Sequence, residues 1–502
     1  AMKQVTDSNR LVMAAARAGV EIYGLTVGVG LNKDHHLFDA KGDLTPEVRK
    51  ASIEFNRNIL RSHSVGYGPA LSKEVTRLAM VVRLNTMLTG RSGAQPRVVE
   101  LYRDFLNKGV TPVVPTRGSI GDADITLASH IGSVMMGEWR AEVDGKVVSG
   151  AEALKMKGIT PLVPEGKDGL GILSSNCVGV AMTMDAMRTM RQALKVSPVV
   201  YGLTLEGMNG NVAPFLAQTV NNHPLTGLKE AAAEMRATLK GSYLWNFDKT
   251  RALQDPLSFR SSGLILATAM EELRQAKELI NQAVNHTSDN PIVSVNARND
   301  LWYSNTDAIK AMQVGGKNTF VNSCSNFDNT QLAVQLESVG RALAQVIHTS
   351  AWRTTQLDDK HRTNLPTYLV AKENKGGDGF ANIAQSMSGL YAEAMALTNS
   401  VMGYGVPTSI GIEETFSNVN QTADRLSKMA DIAYEIYSYE ALHTTQAMDM
   451  RMQDGKKMGE GTTKFLNAYR KTVPFVTKDR IYTNDINNGI KFLRTLDPAT
   501  LK

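Results

Sequence analysis

Four short stretches set reactive side chains beside glycine-rich turns or at the entry to a helix. In "IYGLTVGVG", Tyr23 stands ahead of a flexible glycine loop, where a phenol can enter a site and take or relay a proton. "RSHSVGYGP" sets His63 in a second such turn, and "QDPLSFRSSG" brings Gln254 and Arg260 to the entry of a long helix. The planar fork of Arg260 suits a carboxylate. "SIGIEETFSN" puts the pair Glu413-Glu414 just before another helix. Taken singly, each is more often structural, since an arginine near a helix start usually makes a surface ion pair. A fifth stretch, "TRGSIGDADITLASH" (residues 116–130), is a tight turn of the kind that presents a reactive group at a helix entry. Yet Gly121 is followed by Asp122-Ala123-Asp124, with no serine, cysteine, lysine or histidine to react.

Other motifs carry less. The adjacent His35 and His36 of "KDHHLFD" point to different sides of a loop and lack metal-binding helical spacing. "GVG" at 28–30 and "GYG" at 66–68 lack the context of a dinucleotide loop, and "GKDG" at 166–169 lacks that of a phosphate loop. Cys177 and Cys324 lie far apart and fit neither a disulfide framework nor a zinc site. No metal is expected.

The elements that must position these groups differ between two regions. Up to about residue 200, frequent glycine and proline and short apolar runs predict loops, short strands and modest helices, with a hairpin at Asp144-Gly145 leading into a helix. Beyond residue 255 the period becomes helical: Leu266, Ala269, Met270, Leu273, Ala276, Ile280 and Val284 recur at three- and four-residue steps. Similar stretches run through about 328–350, 380–402 and 418–447. The expected domains are therefore a mixed α/β region, 1–200, carrying the active-site loops, and a long-helix bundle, 201–502. The methionines read as core filler, and helices of this length favour assembly with further copies.

A net charge of +6 is spread along the chain without a basic stripe, which argues against nucleic acid and favours an anionic small molecule. No run of 18 uninterrupted apolar residues suggests a membrane span, and the N-terminus lacks the apolar core of a signal peptide. A cytoplasmic protein is expected.

The order and spacing of the motifs resemble the aromatic amino acid ammonia-lyase and aminomutase family, histidine ammonia-lyase in particular. The likeness runs through "YGLTVGVG", "SHSVGYG", the 117–130 loop, "GLGILSSN", "QDPLSFR", "SDNPIV", "SNFDNTQLA", "LPTYLV" and "IEETFSN". It implies a mainly α fold with the long central helical bundle of histidine ammonia-lyase and fumarase and a mixed N-terminal region. It also implies a homotetramer whose active sites draw residues from more than one subunit.

In that family an Ala-Ser-Gly triplet cyclises to a methylidene-imidazolone, whose methylene is the electrophile. Here Asp124 matches the aspartate after the triplet, but two residues stand for three and neither is serine. The resemblance thus implies a lyase without that prosthetic group and with no other cofactor. A substrate whose nitrogen is already quaternary makes the electrophile unnecessary, because it departs as a neutral tertiary amine. Within the family the pattern resembles members that release trimethylamine from a trimethylated, thio-substituted histidine. By that resemblance Tyr23 is the general base or relay, His63 and Glu413 contact the heterocycle, and Arg260 holds the carboxylate with Gln254 and Asn326. Asp122 would face the cation, and either Ser174 or Asn176 would line the site. Leu257 and Asp328 replace the family's tyrosine and histidine, which implies a remodelled pocket around the nitrogen. Two alternatives stay open: an ordinary ammonia-lyase or aminomutase whose electrophile arises otherwise, and a non-catalytic binding homologue.

Overall fold

The long apolar periods of the second half fold as helices Ser262–Asn285, Thr330–Gln356, Ile383–Ala396 and Val419–Gln453. The computed structural model describes residues 1–37, 45–298, 300–314 and 318–501. It is 60% helix and 6% strand, the mainly α class expected. The hairpin is present as Arg140–Val143 paired with Lys146–Ser149, Val110–Pro112 adding a third strand, and helix Gly150–Met156 follows. Phe38 and Asp39, the end of the double-histidine motif, lie outside the described residues.

One expectation needs correction. The texture before residue 200 predicted only modest helices, but Cys177–Met208 is a single helix of 32 residues with Pro198 inside it. Its glycines mark close approach rather than breaks. A Cβ on Gly207 would meet Ala447 Cβ at 3.0 Å, and one on Gly202 would meet Thr238 Cγ2 at 3.2 Å.

Nor does the chain divide once, at 200/201. One compact unit comprises Ala1–Asp185, Glu278–Val334 and Val401–Ala423; the other comprises Ala186–Lys277, Gln335–Ser400 and Asp424–Lys502. In the first, helix Ile125–Met135 is buried from Leu127 to Met135 and packs against Asp168–Leu173 and Pro46–His63. Deep in the same unit, Arg83 pairs with Asp289 through two bonds, Nη2–Oδ1 at 2.8 Å and Nη1–Oδ2 at 3.1 Å, both side chains fully buried. Such a pair costs desolvation, and removing either partner strands a buried charge.

The second unit is the helical layer proper. Leu336, Val339, Leu343, Val346 and Ile347 turn one stripe inward, and Leu426, Met429, Ala433, Ile436 and Tyr437 another. The window 168–208 holds one stretch long and apolar enough to cross a membrane, but 83% of it is buried inside the protein, as in a core helix.

Candidate active site

Helix Pro46–His63 delivers the first group. Thr45 accepts the Val48 N–H, Pro46 occupies the first turn, and Glu47 complements the positive end of the helix. At its last residue the ring Nδ1 of His63 lies 2.8 Å from the Ile59 carbonyl. That contact makes Nδ1 the donor and leaves Nε2 of the neutral ring as an acceptor. Phe55 and Asn58 face the same cavity from the preceding turns.

That cavity, about 1020 Å³, lies within the first unit and brings together Tyr23, His63, Asp122 and Glu413. The Tyr23 hydroxyl accepts the Gly30 amide at 2.8 Å, so the glycine loop folds back onto its own tyrosine. Burial pushes the phenol above its usual range and the Glu413 charge adds to this, against the Gly30 hydrogen bond. Glu413 is oriented by the Thr408 hydroxyl, which donates to Oε2 at 2.5 Å.

The 119–125 loop is anchored on both sides of Asp122. Gly121 has φ +88°, and a Cβ there would meet Ser417 Oγ at 2.3 Å and the Asn418 amide nitrogen at 2.6 Å, so only glycine fits. Its carbonyl accepts from Ser417 Oγ and Asn329 Nδ2, both at 2.9 Å. Downstream, buried Asp124 accepts the Val178 and Gly179 amides on Oδ2, at 2.9 and 2.8 Å, and Asn420 Nδ2 on Oδ1, at 2.8 Å. It thereby closes the first turn of Cys177–Met208.

Between these anchors the half-buried Asp122 carboxyl turns into the cavity. Thr415 Oγ1 donates to Oδ2 at 3.4 Å, and Oδ1 is buried with no hydrogen-bond partner among the described residues. Burial, followed by the charge of Asp328, pushes its pKa up to about 6.

The loop does not fit a methylidene-imidazolone. No serine lies between Gly121 and Asp124 to be dehydrated. The nearest, Ser119, is buried with its hydroxyl accepting the Gly121 amide at 3.0 Å. The Ala123 amide is shared between Asn176 Oδ1 at 3.2 Å and the Phe327 carbonyl at 3.3 Å.

Other expected site residues stand elsewhere. Ser174 lines the cavity, whereas buried Asn176 does not; its side chain bridges Ala123 and Asn329. Of the two alternatives, Ser174 is thus the one on this cavity, and the Asn176 amide is spent on Ala123 of the loop and on Asn329, just ahead of helix Thr330–Gln356. Asn326 is exposed and lines a separate 510 Å³ pocket that also holds Asn176 and Asp328. Gln254 and Arg260 are exposed residues of the second unit and are not among the cavity residues; Arg260 Nε donates to the Asp255 carbonyl at 2.8 Å. No group of three or more potential metal ligands occurs among the described residues. Sequence reasoning passed over Phe55, Asn58, Lys33 and Phe327, all on the cavity. Phe55 and Asn58 were within reach of it, lying eight and five residues before His63 on one helix.

Residues 1–471 match the sequence profile of the aromatic amino acid lyases, a family whose membership supports a carbon–nitrogen lyase. The chain belongs to that family. Histidine ammonia-lyase from Treponema denticola is 29% identical over 497 residues, covering 98% of this chain and 91% of that protein. The enzyme of the same name from Myxococcus xanthus is 28% identical over 490 residues, covering 97% and 89%. The crystal structure of ergothionase from Treponema denticola, in complex with desmethyl-ergothioneine sulfonic acid, superposes with a TM-score of 0.88 at 32% identity, covering 98% of this chain and 92% of that one. Tyrosine aminomutase from Streptomyces globisporus shares the fold, with a TM-score of 0.83 at 24% identity over 98% and 91% of the chains.

Proposed function

We propose that this chain is a betaine lyase of the ergothionase type, releasing trimethylamine from ergothioneine to give thiourocanate. One observation carries the reading: at the loop position where the family's electrophile is built, a carboxylate enters the cavity instead. A carboxylate cannot capture an amine, but it stabilises a cation that needs no capture.

The reaction balances without a prosthetic group. The β C–H bond breaks and its electrons form the Cα–Cβ double bond. The Cα–N bond breaks, and nitrogen departs with its pair as neutral trimethylamine. Tyr23 is assigned as proton acceptor or relay, with Glu413 beside it. Burial keeps the phenol protonated at neutral pH, and a quaternary nitrogen nearby lowers its pKa, so substrate binding itself arms the base. His63 presents Nε2, and Glu413 a carboxylate, to the heterocycle. Arg260, helped by Gln254 and Asn326, is assigned to the substrate carboxylate. As the family resemblance implies, the reading expects a homotetramer with active sites shared between copies. The small-molecule betaine is the only partner the reading requires besides further copies of the chain.

The test is to give purified protein ergothioneine, hercynine and histidine separately, following acrylate absorbance and trimethylamine by NMR. Turnover of ergothioneine and not histidine is expected. Turnover of histidine alone overturns the reading in favour of an ammonia-lyase. Silence on all three favours a protein that binds without reacting.

A further inference from the structure

The segment bearing Arg260 is pinned from below by a buried polar network in the second unit. Arg353 and Glu440 form a two-pronged ion pair, Nε–Oε1 at 2.6 Å and Nη2–Oε2 at 2.9 Å, with side chains 1% and 0% exposed. Glu440 also accepts hydroxyls from Thr204, at 2.6 Å, and Ser350. The remaining guanidinium nitrogen, Nη1, turns to the Arg260 segment, donating to Ser262 Oγ at 2.5 Å and approaching the Ser258 carbonyl at 3.4 Å. The same guanidinium lies 4.5 Å over the Tyr201 ring, and the Tyr201 hydroxyl donates to the Phe259 carbonyl.

Two consecutive carbonyls just before Arg260 are thus held by buried side chains, and a third, that of Asp255, by Arg260 itself. Residue 260 stays exposed while the backbone beneath it is fixed. A fully buried ion pair is weak evidence for stability, because desolvation offsets much of the attraction. Its spare donor and its aromatic lid converge on one short turn, which gives the pair a different reason to exist. We infer that Tyr201 and the Glu440-clamped Arg353 are positioning residues, which aim Arg260 at the substrate carboxylate by fixing the Ser258 and Phe259 carbonyls. This rests on the assignment of Arg260 as the carboxylate anchor.

The test uses the assembled full-length enzyme and two unreactive competitive probes, thioimidazolepropionate and its ethyl analogue lacking the carboxylate. Wild type should prefer the propionate, and Arg260→Ala should abolish that preference. Tyr201→Phe removes one hydroxyl and keeps the ring. It should weaken the propionate about tenfold and leave the ethyl probe within about twofold. Arg353→Lys, which cannot bridge Glu440 and Ser262 together, should act in the same direction. Equal weakening of both probes by Tyr201→Phe, or of neither, overturns the inference while leaving the Arg260 assignment standing. A preference that survives Arg260→Ala overturns that assignment, and the inference with it.

Discussion

Asp122→Asn is the most informative single change, because it should move activity and stability in opposite directions. The methyl groups of a quaternary nitrogen keep it about 5 Å from a carboxylate, and at an effective dielectric of about 20 the attraction is roughly 3 kcal/mol. Partial exposure and salt reduce this to about 1–2 kcal/mol, so kcat/KM for the betaine should fall about five- to thirtyfold. The carboxyl titrates at about 6 when folded and at 3.8 in an open chain. The folded state therefore binds the proton more tightly. Its stabilising contribution is full below about pH 4 and is lost as pH rises through about 6. At pH 8 the ionised carboxylate costs about 1–2 kcal/mol after allowing for solvent, and Asp122→Asn should raise the melting temperature there and leave it unchanged at pH 4. In the wild type, kcat/KM should climb with pH through about 6, and the variant should lose that limb. Absorbance kinetics across pH and thermal melts at the two pH values suffice. A variant with undiminished kcat/KM and the same limb would refute the role given to Asp122.

Three further outcomes follow from the geometry. Tyr23→Phe should lower kcat at least about a hundredfold with little change in KM, and full turnover in steady-state kinetics would remove the phenol from the chemistry. Gly121→Ala forces a Cβ into Ser417 and Asn418 at a positive φ, so it should cost about 2–3 kcal/mol in denaturant melts; an unchanged midpoint would mean that the loop is not held as described. Burial holds His130 at about 4 against 6.5, with neither ring nitrogen hydrogen-bonded among the described residues. The unfolded chain thus binds more protons between those values, so stability is intact above about pH 6.5 and falls by up to about 3 kcal/mol toward pH 4. His130→Phe should flatten that acid slope, and melts at pH 5 and 7.5 that fall in parallel with wild type would contradict it.

Much of this was legible from the chain. The helical class followed from the three- and four-residue period of Leu266 to Val284, and the cavity groups from reactive residues seated beside glycine turns. The Cys177–Met208 helix was hidden because the glycine, proline and short apolar runs before about residue 200 read as loops and modest helices, while partners far along the chain, such as Thr238 for Gly202 and Ala447 for Gly207, are what the helix packs against. The choice between Ser174 and Asn176 was hidden for a similar reason. Residue type shows that an amide can bind a ligand, but only the fold shows both ends already used, by Ala123 and Asn329. Arg260 illustrates the opposite limit, since its motif is plain in sequence but its backbone support, Arg353, Glu440 and Tyr201, is scattered over some 240 positions.

The two anchors of the 119–125 loop have an evolutionary consequence. Gly121 is tied down by Ser417 and Asn329, and Asp124 by Val178, Gly179 and Asn420, through contacts that never involve the side chains of residues 122 and 123. The span between them behaves as a socket whose contents can be exchanged without renegotiating the fold. A lineage can pass from building an electrophile there to displaying a carboxylate through changes confined to the residues between the anchors, a one-residue shortening among them, while the hydrogen bonds that hold the anchors stay in place.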